Sequence, residues 1–341
     1  MPLLDTLKRL PIFGRILSVV NNPMLLGVVA QASSSGVSFV LNLVLVATLT
    51  PDKFGAYSMA ITVVYFLSGF GAASWTTQVT VFDKATAELS RLLHFKSHLP
   101  PFKVMTLLSV ASLLLLREGG AIPLVIYVVL CAYGFFLKEY LIRFTYNSNN
   151  LKSTAGAQVI FAMGSLGCFA LIRMFLSEHL FEGTFAALMV GNYCAFYYIY
   201  LSARFAQSGR ASDVEFYKYL KPGLYGALSH VLSCLRNYGY VYISPIFIGV
   251  GGLAEINAAR VTTSISSITT PPLTQIHQAK MVRHEADAEI IKSRRNVMLV
   301  ALATSLPIVL AYPYLSRTLL SQYDDLLVLV ILWCVQALVA A

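Results

Sequence analysis

Two arginines stand where a chain of this composition should not tolerate them. Arg236 lies within "LSCLRNYGYVYISP" (Leu232–Pro245), near the middle of an apolar run over 222–250, and Arg260 lies in the apolar run that follows. A guanidinium at membrane depth costs about 2.5–3.5 kcal/mol even on a lenient insertion scale, so such a residue needs a partner or a function. The polar residues around Arg236 are ordered. Ser229, Ser233, Arg236, Asn237, Tyr240 and Ser244 recur in helical steps and share one face. The next run repeats the device with Asn257, Arg260, Ser264 and Ser267. Gln31, Ser35, Ser38 and Asn42 form such a stripe near the start of the chain, and Ser58, Thr62 and Tyr65, followed by Gly69, form another.

Close packing of helices through small residues accounts for most of the Ser and Thr positions. It accounts poorly for the arginines. No Asp or Glu shares the Arg236 stripe; Glu255 sits near the outer start of the following run and Glu139 toward the inner end of an earlier one. Without a carboxylate, the chemistry left to two guanidiniums is capture of an anion in a water-filled cavity, with about ten N–H donors suited to phosphate oxygens. Arg236, Arg260, Asn237, Tyr240, Asn257, Gln31 and Asn42 are the candidate cavity residues, with Tyr240 placed to stack on or hydrogen-bond a sugar.

The elements that position these residues are membrane helices. Hydrophobic residues make up 57% of the 341-residue chain and charged residues only 12%, against about 25% charged in a soluble domain. Apolar segments fall at 24–48, 55–82, 99–116, 121–146, 155–176, 184–206, 222–250, 253–276, 296–316 and 326–341. They are continuous rather than alternating, which excludes barrel strands. The expected fold is therefore all-α, a polytopic integral membrane protein with about ten transmembrane helices.

The net charge of +9 reflects topology rather than nucleic-acid binding. With the N-terminus inside, nineteen basic residues fall on the inner side and four, Lys53, Arg117, Arg173 and Arg317, on the outer. Lys138 belongs to the inner set, and only Arg236 and Arg260 belong to neither. The opening 22 residues read as a cytoplasmic interfacial segment rather than a signal peptide.

The arrangement of segments repeats with a shift of 199 residues. "FGAYSMAITVVYFLSGFGA" from Phe54 aligns with "LAEINAARVTTSISSITTP" from Leu253, in hydropathy and loop length more than in identity. Both charged loops that follow are inside, so the repeats are parallel. This gives a six-helix lobe over 1–210 and a second lobe over 211–341. On the same register the second lobe is incomplete, and the chain is expected to be a fragment of a twelve-helix plan. Gly69 and Gly71 in one repeat and Pro271 and Pro272 in the other suit either rocking of the lobes or static bends.

Other chemistry is poorly supplied. The five cysteines fall inside apolar helices without ligand spacing. His94 and His98 form a lone pair on a basic loop, so no metal site is expected. The outer loops are too short for a catalytic domain, and the inner ones lack a phosphate-cradling glycine motif; neither an enzyme nor a cofactor is expected.

The stretch "QASSSGVSFVLNLVLVATLTPDKFGAYSMAITVVYFLSGFG" (Gln31–Gly71) resembles the opening of bacterial polysaccharide repeat-unit flippases of the O-antigen and capsule type. These belong to the multidrug, oligosaccharidyl-lipid and polysaccharide exporter superfamily. The resemblance implies a two-lobed, alternating-access transporter in the inner (cytoplasmic) membrane. It would carry undecaprenyl-pyrophosphate-linked oligosaccharides to the outer leaflet for surface polysaccharide biosynthesis. Lipid-linked oligosaccharide and membrane lipids are the implied partners, with polysaccharide polymerase machinery alongside and no nucleic acid. Arg236 and Arg260 match, by helix position, the cationic cavity residues of that family. The alternatives are a multidrug exporter of the same superfamily and a membrane-embedded glycosyltransferase or polymerase. The first usually needs acidic cavity residues, and the second needs a catalytic carboxylate or a sizeable soluble loop.

Overall fold

The computed structural model describes residues 23–76, 121–147, 151–202, 217–281, 286–318, 320–323 and 326–340. The expected segment 99–116, the interfacial segment and the His94/His98 loop lie outside them. The described residues are helical, connected by short turns. The helices are α1 (Pro23–Thr48), α2 (Pro51–Gly71), α3 (Ala121–Asn147), α4 (Leu151–Phe175), α5 (Leu180–Ser202), α6 (Tyr217–Met281), α7 (Ala286–Thr318) and α8 (Leu327–Ala340). Six stretches among the described residues are long and apolar enough to cross a membrane. This is an all-helical protein of membrane character.

Local chemistry sets the boundaries. Pro51 opens α2 in the first helical turn, where its missing N–H costs nothing, and Asp52 beside it complements the positive end of the helix dipole. At its other end α2 runs into a π-helical turn over Ala72–Thr76. In α6 the helix reverses at Gly249, whose φ of 74° and ψ of 176° are accessible essentially only to glycine. A straight helix would hold residues 240 and 257 about 25 Å apart, yet the Tyr240 hydroxyl donates to Asn257 Oδ1 at 2.7 Å. α6 is thus a hairpin of two arms. The break expected between the apolar runs 222–250 and 253–276 contracts to Gly249, and 250–253 are already helical. The second arm stays helical through Pro271 and Pro272.

The helices form a ring in which α1 packs on α4, α4 on α5, α5 on α3, α3 on α2, α2 on α6, and α6 back on α1. Although α1 and α2 are joined by a two-residue link, they share little surface. α7 and α8 pack on α6 and on each other, so α6 is common to both groups. Aromatic rings fill the interior of the ring. Tyr57 meets Phe185 at 5.7 Å, Tyr65 meets Phe135 at 5.8 Å, and Phe135 meets Phe161 at 5.8 Å. Each such pair contributes about 0.5–1.5 kcal/mol beyond the area it buries. The bend of α6 seats against the start of α2, where Gly55 leaves room for the Val250 carbonyl.

The α4–α5 crossing depends on small residues. A Cβ at Gly191 would collide with Ser165 and the Phe161 carbonyl, and Gly164 approaches the Gly191 Cα from the facing helix. Gly167, on the same helix as Gly164, has open space around it. Gly191→Val should therefore destabilise the protein by about 2 kcal/mol or more through overpacking. Gly167→Val should have a much smaller effect. Thermal unfolding of the detergent-solubilised variants measures the difference.

Candidate functional site

Three of the four polar stripes converge on one cavity. It has a volume of about 180 Å³ and lies among α1, α2 and the two arms of α6, chiefly the second. α1 contributes Ser38 and Asn42, α2 contributes Ser58, Thr62 and Tyr65, and α6 contributes Asn257, Arg260, Ser264 and Tyr238. The convergence follows from helical periodicity. Positions three and four apart share a face, and each helix turns that face toward the seam. Ser38 Oγ and Tyr65 Oη lie 3.1 Å apart across the cavity, linking α1 to α2 where the helices otherwise barely meet.

The wall of the cavity offers fewer donors than its composition suggests. The Ser58 hydroxyl donates to the Phe54 carbonyl at 2.9 Å, Thr62 to the Ser58 carbonyl at 2.7 Å, and Ser264 to the Val261 carbonyl at 2.7 Å. These protons are spent on their own helices, the common fate of hydroxyls inside helical segments. The hydroxyls therefore behave toward the cavity as lone pairs, and the donors left are the Arg260 guanidinium and the Asn42 and Asn257 amides.

Arg260 is held by aromatic groups rather than by a carboxylate. Its Nη1 donates to the Tyr240 hydroxyl at 2.8 Å. Its Cζ lies 4.7 Å from the Tyr238 ring centroid, 5.4 Å from Trp333 and 5.7 Å from Tyr240. Such contacts attract a desolvated guanidinium by about 2 kcal/mol at best, well short of a neutralising charge. Among the described residues no carboxylate lies within 4.0 Å of it. Asn257 is 7% exposed, accepts from Tyr240 through Oδ1, and leaves its Nδ2 without a partner. An unsatisfied buried donor costs about 1–3 kcal/mol.

The remaining candidates fall elsewhere. Arg236 and Asn237 are exposed on the first arm of α6, where Arg236 Nε donates to Asn237 Oδ1 at 3.3 Å and Asn237 Nδ2 to Ser233 Oγ at 3.4 Å. Neither lines the cavity. Gln31 donates to Ser35 Oγ at 2.9 Å, also outside the lining. Tyr240 takes part indirectly, as the link between Arg260 and Asn257 and as the edge-on neighbour of Trp333 at 5.7 Å. Among the described residues no cluster of His, Cys, Asp and Glu is arranged to hold a metal, and all five cysteines are free.

Two features escaped the sequence reading. Lys138, grouped there with the inner aqueous-facing cations, is fully buried. Its Nζ sits 3.9 Å from the Phe161 ring centroid and 5.0 Å from Phe135, with Gln158 Oε1 and Glu139 Oε1 each at 3.4 Å. The neighbouring Glu139 provides the countercharge, so it is not available to Arg236. Gly69, expected as a kink, instead leaves room for the His230 ring, whose Nε2 lies 3.2 Å from the Phe66 carbonyl and 3.2 Å from Cys234 Sγ. The sequence signals were present but weak: a Lys-Glu pair inside an apolar run, and one histidine on the Arg236 helix.

No family model, curated protein or solved structure matches the chain.

Lys138 provides a test of this account of the buried cations. Lys138→Met keeps the volume and removes the charge with its desolvation cost, so the melting temperature should stay within a few degrees of wild type or rise. Lys138→Glu would bury a second carboxylate beside Glu139 and should destabilise by about 3 kcal/mol or more. Thermal unfolding of both variants measures this.

Proposed function

We propose that the chain is a flippase of the inner membrane. It translocates undecaprenyl-pyrophosphate-linked oligosaccharide repeat units from the cytoplasmic to the outer leaflet by alternating access of two parallel helical lobes, with its N-terminus in the cytoplasm. The first lobe covers 1–210 and the second begins at 211. The observation that carries the reading is Arg260: a guanidinium on a membrane-length helix, facing a polar cavity with no carboxylate among its lining residues. A cavity lined in this way favours anions and disfavours cationic drugs. Its volume of about 180 Å³ is below the roughly 300–1,000 Å³ of pockets that enclose drug-sized ligands. It suits the phosphate groups of such a substrate, and the sugar chain would need a wider opening of the seam between α1 and α2.

Substitution of Arg260 in cells that make the polysaccharide provides the test. With the full chain carrying Arg260→Ala, export should fall about tenfold or more, because a charged hydrogen-bond donor to the headgroup is lost. Lipid-linked repeat units should accumulate in the inner leaflet. Arg260→Lys should keep part of the activity, since the charge survives and the planar fork does not. Arg236→Ala should have the smaller effect, because its side chain lies outside the cavity. Unchanged export with Arg260→Ala would overturn the reading.

A further inference from the structure

The hydrogen-bond order around Arg260 fixes the polarity of a second residue in the same cavity. Arginine can only donate, so the Tyr240 oxygen must accept from Arg260 Nη1, at 2.8 Å. The single Tyr240 proton then has one partner, the Asn257 side chain at 2.7 Å. The Asn257 atom facing Tyr240 must therefore be the carbonyl oxygen. The two ends of an amide are nearly isosteric and are ordinarily assigned by their surroundings; here the arginine, acting through the tyrosine, makes the choice. The consequence is that Asn257 Nδ2, with two protons, is turned away from Tyr240 in a residue only 7% exposed, and it has no partner. The nearby hydroxyls of Ser58, Thr62 and Ser264 have already given their protons to backbone carbonyls.

We propose that Asn257 Nδ2 is a second donor to a bound phosphoryl oxygen beside Arg260, and that Tyr240 is the positioning residue that holds Asn257 in this sense. The inference rests on the anion-cavity reading above and adds to it a specificity-determining amide. A phosphoryl oxygen accepts without donating and carries the charge opposite to Arg260, which matches a cationic and an amide donor side by side. A sugar hydroxyl brings no charge to offset the guanidinium. The ligand chemistry is thus a phosphoryl oxygen, from either a prenyl diphosphate headgroup or a free phosphate anion.

The experiment uses the full chain in detergent, with Trp75→Phe as background so that Trp333 is the sole tryptophan. The Trp333 ring lies 5.4 Å from the Arg260 guanidinium, so its emission reports occupancy of the cavity. Inorganic pyrophosphate is the first probe. Asn257→Ala should weaken its binding about tenfold, and the isosteric Asn257→Asp more strongly still. Tyr240→Phe should weaken it several-fold by itself and add nothing in the Asn257→Ala background, the signature of a residue acting through another. If Tyr240→Phe has the same effect in both backgrounds, it acts on Arg260 directly and the positioning role is wrong. If Arg260→Ala abolishes binding while both Asn257 variants bind as wild type, this inference fails and the anion cavity stands. If Arg260→Ala leaves binding unchanged, the cavity reading itself fails. Should Asn257→Ala not fold, Asn257→Leu decides the matter, because it keeps the approximate shape of the site with neither a donor nor a charge. A short prenyl diphosphate in lipid nanodiscs is the second probe. Competition between the two probes identifies the lipid headgroup as the source of the phosphoryl group, and binding of pyrophosphate alone identifies a free anion; both support the donor assignment.

Discussion

The cost of placing a positive charge away from bulk water governs the arrangement around α6. Arg260 meets that cost without a carboxylate. It donates one hydrogen bond to the Tyr240 hydroxyl and is surrounded by the faces of Tyr238, Tyr240 and Trp333. These contacts orient the guanidinium and leave its charge uncompensated. The surrounding elements follow from that need. The reversal at Gly249 brings Tyr238 and Tyr240 back over Arg260, α8 brings Trp333, and Gly55 lets the bend sit close against α2. Lys138 solves the same problem in the opposite way, with Glu139 and Gln158 beside it and two phenyl rings around it. One cation is neutralised locally; the other keeps its charge unpaired among aromatic rings.

Much of the cavity was legible in the sequence because helical phase is a local property. Ser38 with Asn42, Ser58 with Thr62 and Tyr65, and Asn257 with Arg260 and Ser264 could be grouped from spacing alone, and each group faces the same space. Phase says which residues share a face, however, and not which neighbour covers that face. Arg236 and Asn237 obey the same periodicity as Arg260, yet their side of α6 is exposed. Tyr238, off the Arg236 stripe by spacing, reaches the cavity because the hairpin turns it toward the second arm. Lys138 was unreadable for a related reason. A basic residue near the inner end of an apolar run resembles one that snorkels to water, and only the packing of α4 against α3 seals it in.

Glycine gave the least legible signals. A glycine inside a membrane helix is equally consistent with a bend, a close helix crossing and a recess for a large side chain. All three occur here. Gly249 is the bend, Gly191 the crossing and Gly69 the recess for His230. They are distinguished by what lies across from each position, which is a tertiary fact. Six of the membrane-length stretches among the described residues were readable because membrane thickness sets a length that any spanning helix must meet.

The link between Ser38 and Tyr65 has a mechanical meaning. Around most of the ring, neighbouring helices are joined by broad interlocking surfaces, and α4 and α5 are drawn together at Gly191 and Gly164. Between α1 and α2 the direct tie is essentially one hydroxyl pair at 3.1 Å, worth about 0.5–1.5 kcal/mol. The two helices are not neighbours in the ring: each is anchored to α6, which stands between them, and the hydroxyl pair ties them directly across the cavity. α6 is therefore the spar of the molecule, and load applied to either helix passes to the other through it.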